Sequence, residues 1–143
     1  MELEVKFKKL YEDTVLPYYG SEEAAGLDCT AHSKEFDEEN YIYSYGLGFA
    51  VEIPKGYVGL IFPRSSVYTT DLILSNCVGV IDSDYRGEVK VKFYGGEDEN
   101  NKYNIGDRCC QLIIIPYPKI KVIEATELSE TKRGTGGYGS TGK

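Results

Sequence analysis

Residues 79–94 read GVIDSDYRGEVKVKFY, and two patterns meet there. From Val89 onward the apolar residues Val89, Val91 and Phe93 alternate with Lys90 and Lys92, the period of two that turns one face of a β-strand to a core and the other to water. Just before it, the short apolar run Val80-Ile81 ends at Asp82, and a turn of Ser, Asp and Gly reverses the chain. The same period recurs in Leu3-Val5-Phe7 among lysines, in Phe49-Val51-Ile53 and in Val58-Leu60-Phe62. The run QLIIIPYPKIKVIEA at 111–125 predicts a more fully buried strand followed by another. Turn signals at PYYGSEE, IPKGY, YGGEDENN and NIGDR separate these segments. A single short helix is expected around Ser65 to Asp71, where Pro-Arg-Ser-Ser would place hydroxyls at its N-terminus. The expected architecture is an all-β sandwich or barrel without internal repeats.

At 143 residues the chain has the length of one domain with a single core. Sixteen Lys and Arg against 23 Asp and Glu give a net charge of −7, which argues against nucleic acid or an anionic membrane as a partner. Any phosphate must therefore be met locally, and the four arginines do fall in compact segments: Arg64 in FPRSS, Arg86 in DYRGE, Arg108 in GDRCCQ and Arg133 in KRGTGG. Arginine suits bidentate contacts to oxyanions, although Arg86 and Arg108 read equally well as surface ion pairs. Cys29, Cys77, Cys109 and Cys110 show no CxxC spacing, so reduced and mostly buried thiols are expected. No secretory h-region and no apolar run of about 18 residues stand out, which predicts a cytoplasmic protein. The one histidine, His32, lies in AHSKEFDEEN, read as a solvated loop, and histidine-based triads and metal clusters are thereby nearly excluded.

Asp82 is the candidate general base, since a carboxylate at the end of a buried strand is partly desolvated and held by rigid backbone. The last eleven residues, RGTGGYGSTGK from Arg133 to Lys143, hold five glycines and no aliphatic side chain, so they should be mobile without a partner. GxGxxG and GxxxxGK both match here by composition, but each needs a preceding strand and a following helix, and both are rejected. What survives is a strip of free N–H groups with an Arg and hydroxyls, able to fold over phosphates, and one aromatic, Tyr138, able to stack on a base.

Five segments stand in order: AAGLDCTA (24–31), FPRSS (62–66), SNCVGVIDSDYRGE (75–88), GDRCCQLI (106–113) and RGTGGYGSTG (133–142). Together they resemble the five motifs of the homotrimeric deoxyuridine triphosphatases, the dUTPases, over nearly the whole chain. The resemblance implies a distorted β-jelly roll at 1–132 and a C-terminal arm at 133–143 that closes over the active site of a neighbouring subunit, the sites lying at interfaces of a homotrimer. It implies hydrolysis of dUTP to dUMP and pyrophosphate, with Asp82 activating the water that attacks the α-phosphorus. Asn76, with the backbone near Val80 and Ile81, would read the uracil edge, and Tyr85 would pack beneath the deoxyribose and leave no room for a 2′-hydroxyl. Arg64, Ser65 and Ser66 correspond to the phosphate-binding segment, with Gln111 a further polar contact; Lys90 and Gly139 join the substrate-binding set. Asp28 resembles the carboxylate that holds Mg²⁺ through water, Arg133 the γ-phosphate clamp, and Tyr138 the aromatic, commonly Phe, that stacks on uracil.

Two features depart from the family pattern. After PRSS the chain has VYTTDLILSN where many relatives carry small residues and a Lys, and Tyr138 stands in place of Phe. A dCTP deaminase shares the fold and an RSS segment, but it resembles a pattern with Glu one residue before the aromatic of the following strand, where this chain has Lys92. A regulatory jelly-roll protein that retains nucleotide binding is the other alternative, and Asp82 and Arg133 argue for retained catalysis.

Overall fold

The computed structural model describes residues 2–142; Met1 and Lys143, the last residue of the expected arm and of the GxxxxGK match, lie outside the described residues. Eleven strands run in chain order: β1 (Lys6–Lys9), β2 (Tyr18–Tyr19), β3 (Leu27–Thr30), β4 (Ser33–Asp37), β5 (Ile42–Gly46), β6 (Phe49–Glu52), β7 (Tyr57–Phe62), β8 (Ile73–Leu74), β9 (Gly79–Ile81), β10 (Lys90–Tyr94) and β11 (Arg108–Pro116). They form a five-stranded sheet in the order β2-β3-β11-β7-β9, a four-stranded sheet β4-β5-β10-β8 and the pair β1-β6, with every pairing antiparallel. Two short 3-10 helices, η1 (Ser65–Thr69) and η2 (Glu99–Asn101), interrupt them. The all-β jelly-roll expectation holds, with two short helices in place of one.

The core lies where the inner faces of the sheets meet. On β10 the expected alternation is observed, Val91 and Phe93 buried and Lys90 and Lys92 exposed. Tyr43 and Tyr45 of β5 come in from the same sheet, and Ile61 and Leu112 from the other. Tyr45 packs edge-on against Phe93 at 5.8 Å between ring centroids, and its hydroxyl donates to the Tyr103 carbonyl at 3.0 Å, so the buried polar end is satisfied. Leu112 is completely buried. Leu112→Ala is expected to cost about 2–5 kcal/mol in chemical denaturation, because a sandwich core closes poorly over a vacated side chain; a cost of a few tenths would place Leu112 outside the core.

Several expectations are corrected. The run after Pro116 forms no second strand, and Ile120, Val122 and Ile123 are largely exposed: Pro116 and Pro118 remove two ladder donors just where the chain leaves β11. Leu3 and Val5 lie outside β1, so only Phe7 of that trio is on a strand, packed against Phe49. AHSKEFDEEN is not all loop, since Ser33–Asp37 is β4. His32 is partly enclosed, stacked on Tyr11 at 4.4 Å and 3.0 Å from the Asp13 carboxylate. Cys29, Cys109 and Cys110 are buried and Cys77 is exposed, all four as free thiols. Among the described residues no helix is long and apolar enough to cross a membrane.

Candidate active site

Three separate groups of side chains carry the expected chemistry. The first is an ion cluster at one end of the five-stranded sheet. The Asp28 carboxylate on β3, only 13% exposed, accepts Arg64 Nε at 3.0 Å on one oxygen and Arg108 Nη1 at 2.9 Å on the other. Arg64 Nη1 also donates to Ser66 Oγ and to the Arg108 carbonyl, each at 3.3 Å. Asp28 is the direct cross-strand partner of Gln111, whose amide donates to the Pro63 carbonyl at 2.9 Å. Gly26 lies against them, and a Cβ there would press on the Gln111 amide and disturb its bond to Pro63. The site thus has a net positive charge, with the Arg108 side chain 40% exposed and bonded to Asp28 through one nitrogen.

Arg108 joins this cluster because of a β-bulge. Residues 108 and 111 differ by an odd number and would fall on opposite faces of a regular strand. The register shift between Arg108 and Cys110 inserts one residue, burying Cys109 and Cys110 together and turning Arg108 to the side of Gln111 and Asp28. Sequence reasoning left Arg108 as an equal candidate for a surface pair, because the odd spacing to Gln111 would put the two on opposite faces of a regular strand and the bulge that reunites them is a feature of the pairing.

Ser65 is exposed and Ser66 half-buried at the start of η1, and neither hydroxyl caps the helix: the N-cap residue is Arg64 and no side chain bonds there. This corrects the expected capping role. Ser66 Oγ instead takes the Arg64 guanidinium, and in the divergent segment that follows the Thr69 and Thr70 hydroxyls bond back to the Ser66 and Val67 carbonyls while Tyr68 projects into solvent.

The second group surrounds a cleft of about 230 Å³ between the edges of the two sheets, lined by Asn76, Gly79 and Lys90 over Ile61 and Leu74. β8 covers β10 only at Phe93 and Tyr94, and the last bond on that side runs from Ser75 N–H to the Lys92 carbonyl at 2.9 Å. By strand alternation the Lys90 N–H and C=O face the same side two residues earlier, where β8 has ended, and so offer a donor and an acceptor to a planar edge.

The third group is the turn after β9. Asp82 is exposed at the strand end, and Val80 is exposed as well, which corrects the expected partial desolvation of this carboxylate within one chain. The turn is rigid: Tyr85 N–H bonds the Asp82 carbonyl at 3.1 Å, the Tyr85 hydroxyl donates to the Glu88 carbonyl at 2.8 Å, and Arg86 reaches the Ser83 carbonyl at 2.7 Å and Glu52 at 3.4 Å. Asp82 forms part of the wall of a broad groove of about 980 Å³ that includes none of Asp28, Arg64, Ser66 or Gln111.

One chain does not bring these groups together. β9 is separated from β3 by β7 and β11, so at about 4.8 Å per strand their axes lie about 14 Å apart. The C-terminal segment stands apart from all of them: the hydrogen bonds of residues 131–142 are internal, such as Arg133 Nε to the Gly136 carbonyl at 2.8 Å, and Tyr138 is fully exposed beside Gly139.

The residues fit Mg²⁺ in one way only. Among the described residues no three His, Cys, Asp or Glu side chains gather as a metal cluster. Asp28 accepts one guanidinium on each oxygen and keeps a lone-pair direction free on each, enough for a water of a hydrated cation. The metal's own ligands would come from a polyphosphate.

Comparison with known proteins gives a consistent answer. The family model described as dUTPase matches residues 12–142. A deoxyuridine 5′-triphosphate nucleotidohydrolase of Nautilia profundicola is 38% identical over 99% of this chain and 100% of its own length, and that of Escherichia phage T5 is 39% identical over 96% and 98%. Among solved structures, the dUTPase of Staphylococcus bacteriophage 80alpha with dUpNHpp superposes with a TM-score of 0.85 at 25% identity, covering 98% of this chain and 99% of that one. A dUTPase of phage phi11 of S. aureus, described for its coordination of a structural Mg(II) ion, superposes at 0.74 over 87% and 98% with 24% identity. The chain belongs to the dUTPase family.

Proposed function

We propose that the chain hydrolyses dUTP to dUMP and pyrophosphate, at sites completed between subunits of a homotrimer. The observation that carries this reading is the Arg64–Asp28–Arg108 cluster beside Gln111, a preformed cationic seat for a polyphosphate in a chain of net charge −7. Asn76 and the free backbone edge at Lys90, with Val80 and Ile81 on the adjoining strand, suit the donor and acceptor edge of uracil. Asp82 holds the proton-accepting position for the attacking water. Its exposure in a single chain and its separation from Asp28 support assembly from several subunits, since association would both desolvate it and bring phosphates to it.

Arg64 and Arg108 would neutralise the phosphates through charge-assisted bonds, Ser65 and Ser66 would add neutral donors, and Arg133 of the arm would close on the γ-phosphate. Asp28 would hold Mg²⁺ through water, and the bound cation would supply charge neutralisation across the phosphates. Tyr138 would stack on the base, with Gly139 next to it in a left-handed conformation, φ +87°.

The test is release of pyrophosphate from dUTP measured beside release of ammonia from dCTP: the first without the second is expected, and the reverse would favour the deaminase. A solution mass of one chain or two would remove the trimer.

The rigid turn makes a selectivity prediction. Tyr85 is fixed by its bond to the Glu88 carbonyl, so UTP should be a poor substrate and Tyr85→Ala should narrow the dUTP-to-UTP ratio of kcat/KM by about tenfold or more, through lost exclusion of the 2′-hydroxyl. An unchanged ratio would place that discrimination elsewhere.

A further inference from the structure

We propose that Lys102 and Tyr103 are positioning residues for the phosphate-binding turn, gripping η1 from its two ends; this rests on the reading of Arg64 to Ser66 as the phosphate segment. η1 cannot hold itself. It has five residues of 3-10 geometry, no side-chain cap and no buried residue, and such short helices depend on outside contacts.

Beyond the C-terminal end of η1, Asp71 is caught by Lys102. The Lys102 side chain is completely buried, and its ammonium uses all three donors: Asp71 Oδ1, the Asp98 carbonyl and Asn101 Oδ1, each at 2.6 Å. The Tyr43 ring lies 5.1 Å from the same nitrogen. The other Asp71 oxygen takes the Gly96 N–H at 2.9 Å, and the Asp71 N–H bonds the Asn101 carbonyl at 3.3 Å. Burial works against the Asp71 charge, but the Lys102 ammonium and the Gly96 N–H outweigh it and hold the carboxyl below its ordinary range.

At the other end, the Tyr103 hydroxyl lies 3.5 Å from Ser66 Oγ, the atom that receives Arg64 Nη1. Tyr103 is buried, with its carbonyl bonded by Tyr45 and its ring 6.2 Å from those of Tyr45 and Phe93, so the hydroxyl has little freedom. Burial pushes this phenol upward, which keeps it protonated and able to donate. Lys102 has extended backbone, φ −117° and ψ 164°, and consecutive side chains of extended chain point to opposite sides. That is how two neighbours in sequence reach opposite ends of one helix. The chain continues from Tyr103 through a tight turn into Arg108, so the connection that braces η1 also delivers the second arginine of the ion cluster.

The experiment uses the full chain with Tyr103→Phe, Lys102→Met and Asp71→Asn. For each, KM and kcat for dUTP, the inhibition constant of dUMP, the affinity for inorganic tripolyphosphate and the thermal midpoint are measured. Tyr103→Phe is expected to raise KM for dUTP and weaken tripolyphosphate by about 3–10-fold, the scale of one neutral hydrogen bond, with dUMP inhibition within about twofold and the midpoint nearly unchanged. Lys102→Met and Asp71→Asn should show the same selective loss together with a lower midpoint. Equal loss for dUMP and dUTP, or a lower midpoint with unaltered tripolyphosphate affinity, would reduce the pair to general stabilisation and overturn the proposal. Absence of dUTP turnover in the unmodified protein would instead defeat the functional reading, while tripolyphosphate affinity would still judge the grip on η1.

Discussion

Asp82→Asn is expected to lower kcat by about 10²–10⁴-fold while leaving dUTP affinity largely intact. The carboxylate sits at the end of β9 on a turn braced by Tyr85 and Arg86, so the amide can occupy the same place without rearranging its surroundings. It lacks a charged acceptor for the water's proton, and phosphate contacts from Arg64 and Arg108 are untouched. Steady-state turnover with a direct binding measurement separates the two effects. Turnover near that of the unmodified protein would remove Asp82 from the chemistry, and a parallel loss of affinity would make it a binding group.

Truncation before Arg133 is the second large effect. On the proposed closure of the arm over the site, it removes the Arg133 cation, the Tyr138 ring and a cover against water, and should cost more than Tyr138→Ala. Stacking of a base on an aromatic is worth about 1–3 kcal/mol, so the single substitution should cost about one to two decades in kcat/KM. Residues 131–142 bond only among themselves within one chain, so the arm is tied by no hydrogen bond to the site of its own subunit. Mixing truncated chains with Asp82→Asn chains distinguishes that site from a neighbour's: regained activity in mixed oligomers means exchange between subunits, and none means each arm serves its own chain. Full activity after truncation would leave the segment without a catalytic part.

Much of the β architecture was legible because alternation on β10 is a local consequence of one buried face; on β7 the strand was legible but its face was not, since Gly59 and Ile61 are buried while Val58, Leu60 and Phe62 are only partly covered. The strands β3, β4 and β5 were less so. β5 carries Tyr43, Ser44 and Tyr45, where tyrosine serves as core by finding partners for its hydroxyls, a fact of tertiary structure that a hydropathy pattern does not contain. The segment 117–126 misled in the opposite direction: its apolar residues promise a strand, yet nothing in a single chain covers them. Asp28, Arg64, Ser66 and Gln111 were found as a group through their motifs and do converge. Asp82 and Asn76 were found in the same way but stand apart from them in one chain, since motif order says nothing about distance in the fold. Lys102 carried no signal in the sequence, because three acceptors from a loop and a helix end cannot be seen there.

The extra residue in β11 has a consequence for how this chain can vary. Substitutions at Cys109 and Cys110 are judged by volume and polarity, as in any core. Deleting either one is a different kind of change: it would abolish the bulge and leave Arg108 and Gln111 two places apart, still on one face of a now regular strand, with one buried thiol between them in place of two. An even separation keeps the arginine beside the glutamine on a regular strand and an odd one does so through a bulge, so the loss of one residue here would be felt in the core before it was felt at Asp28.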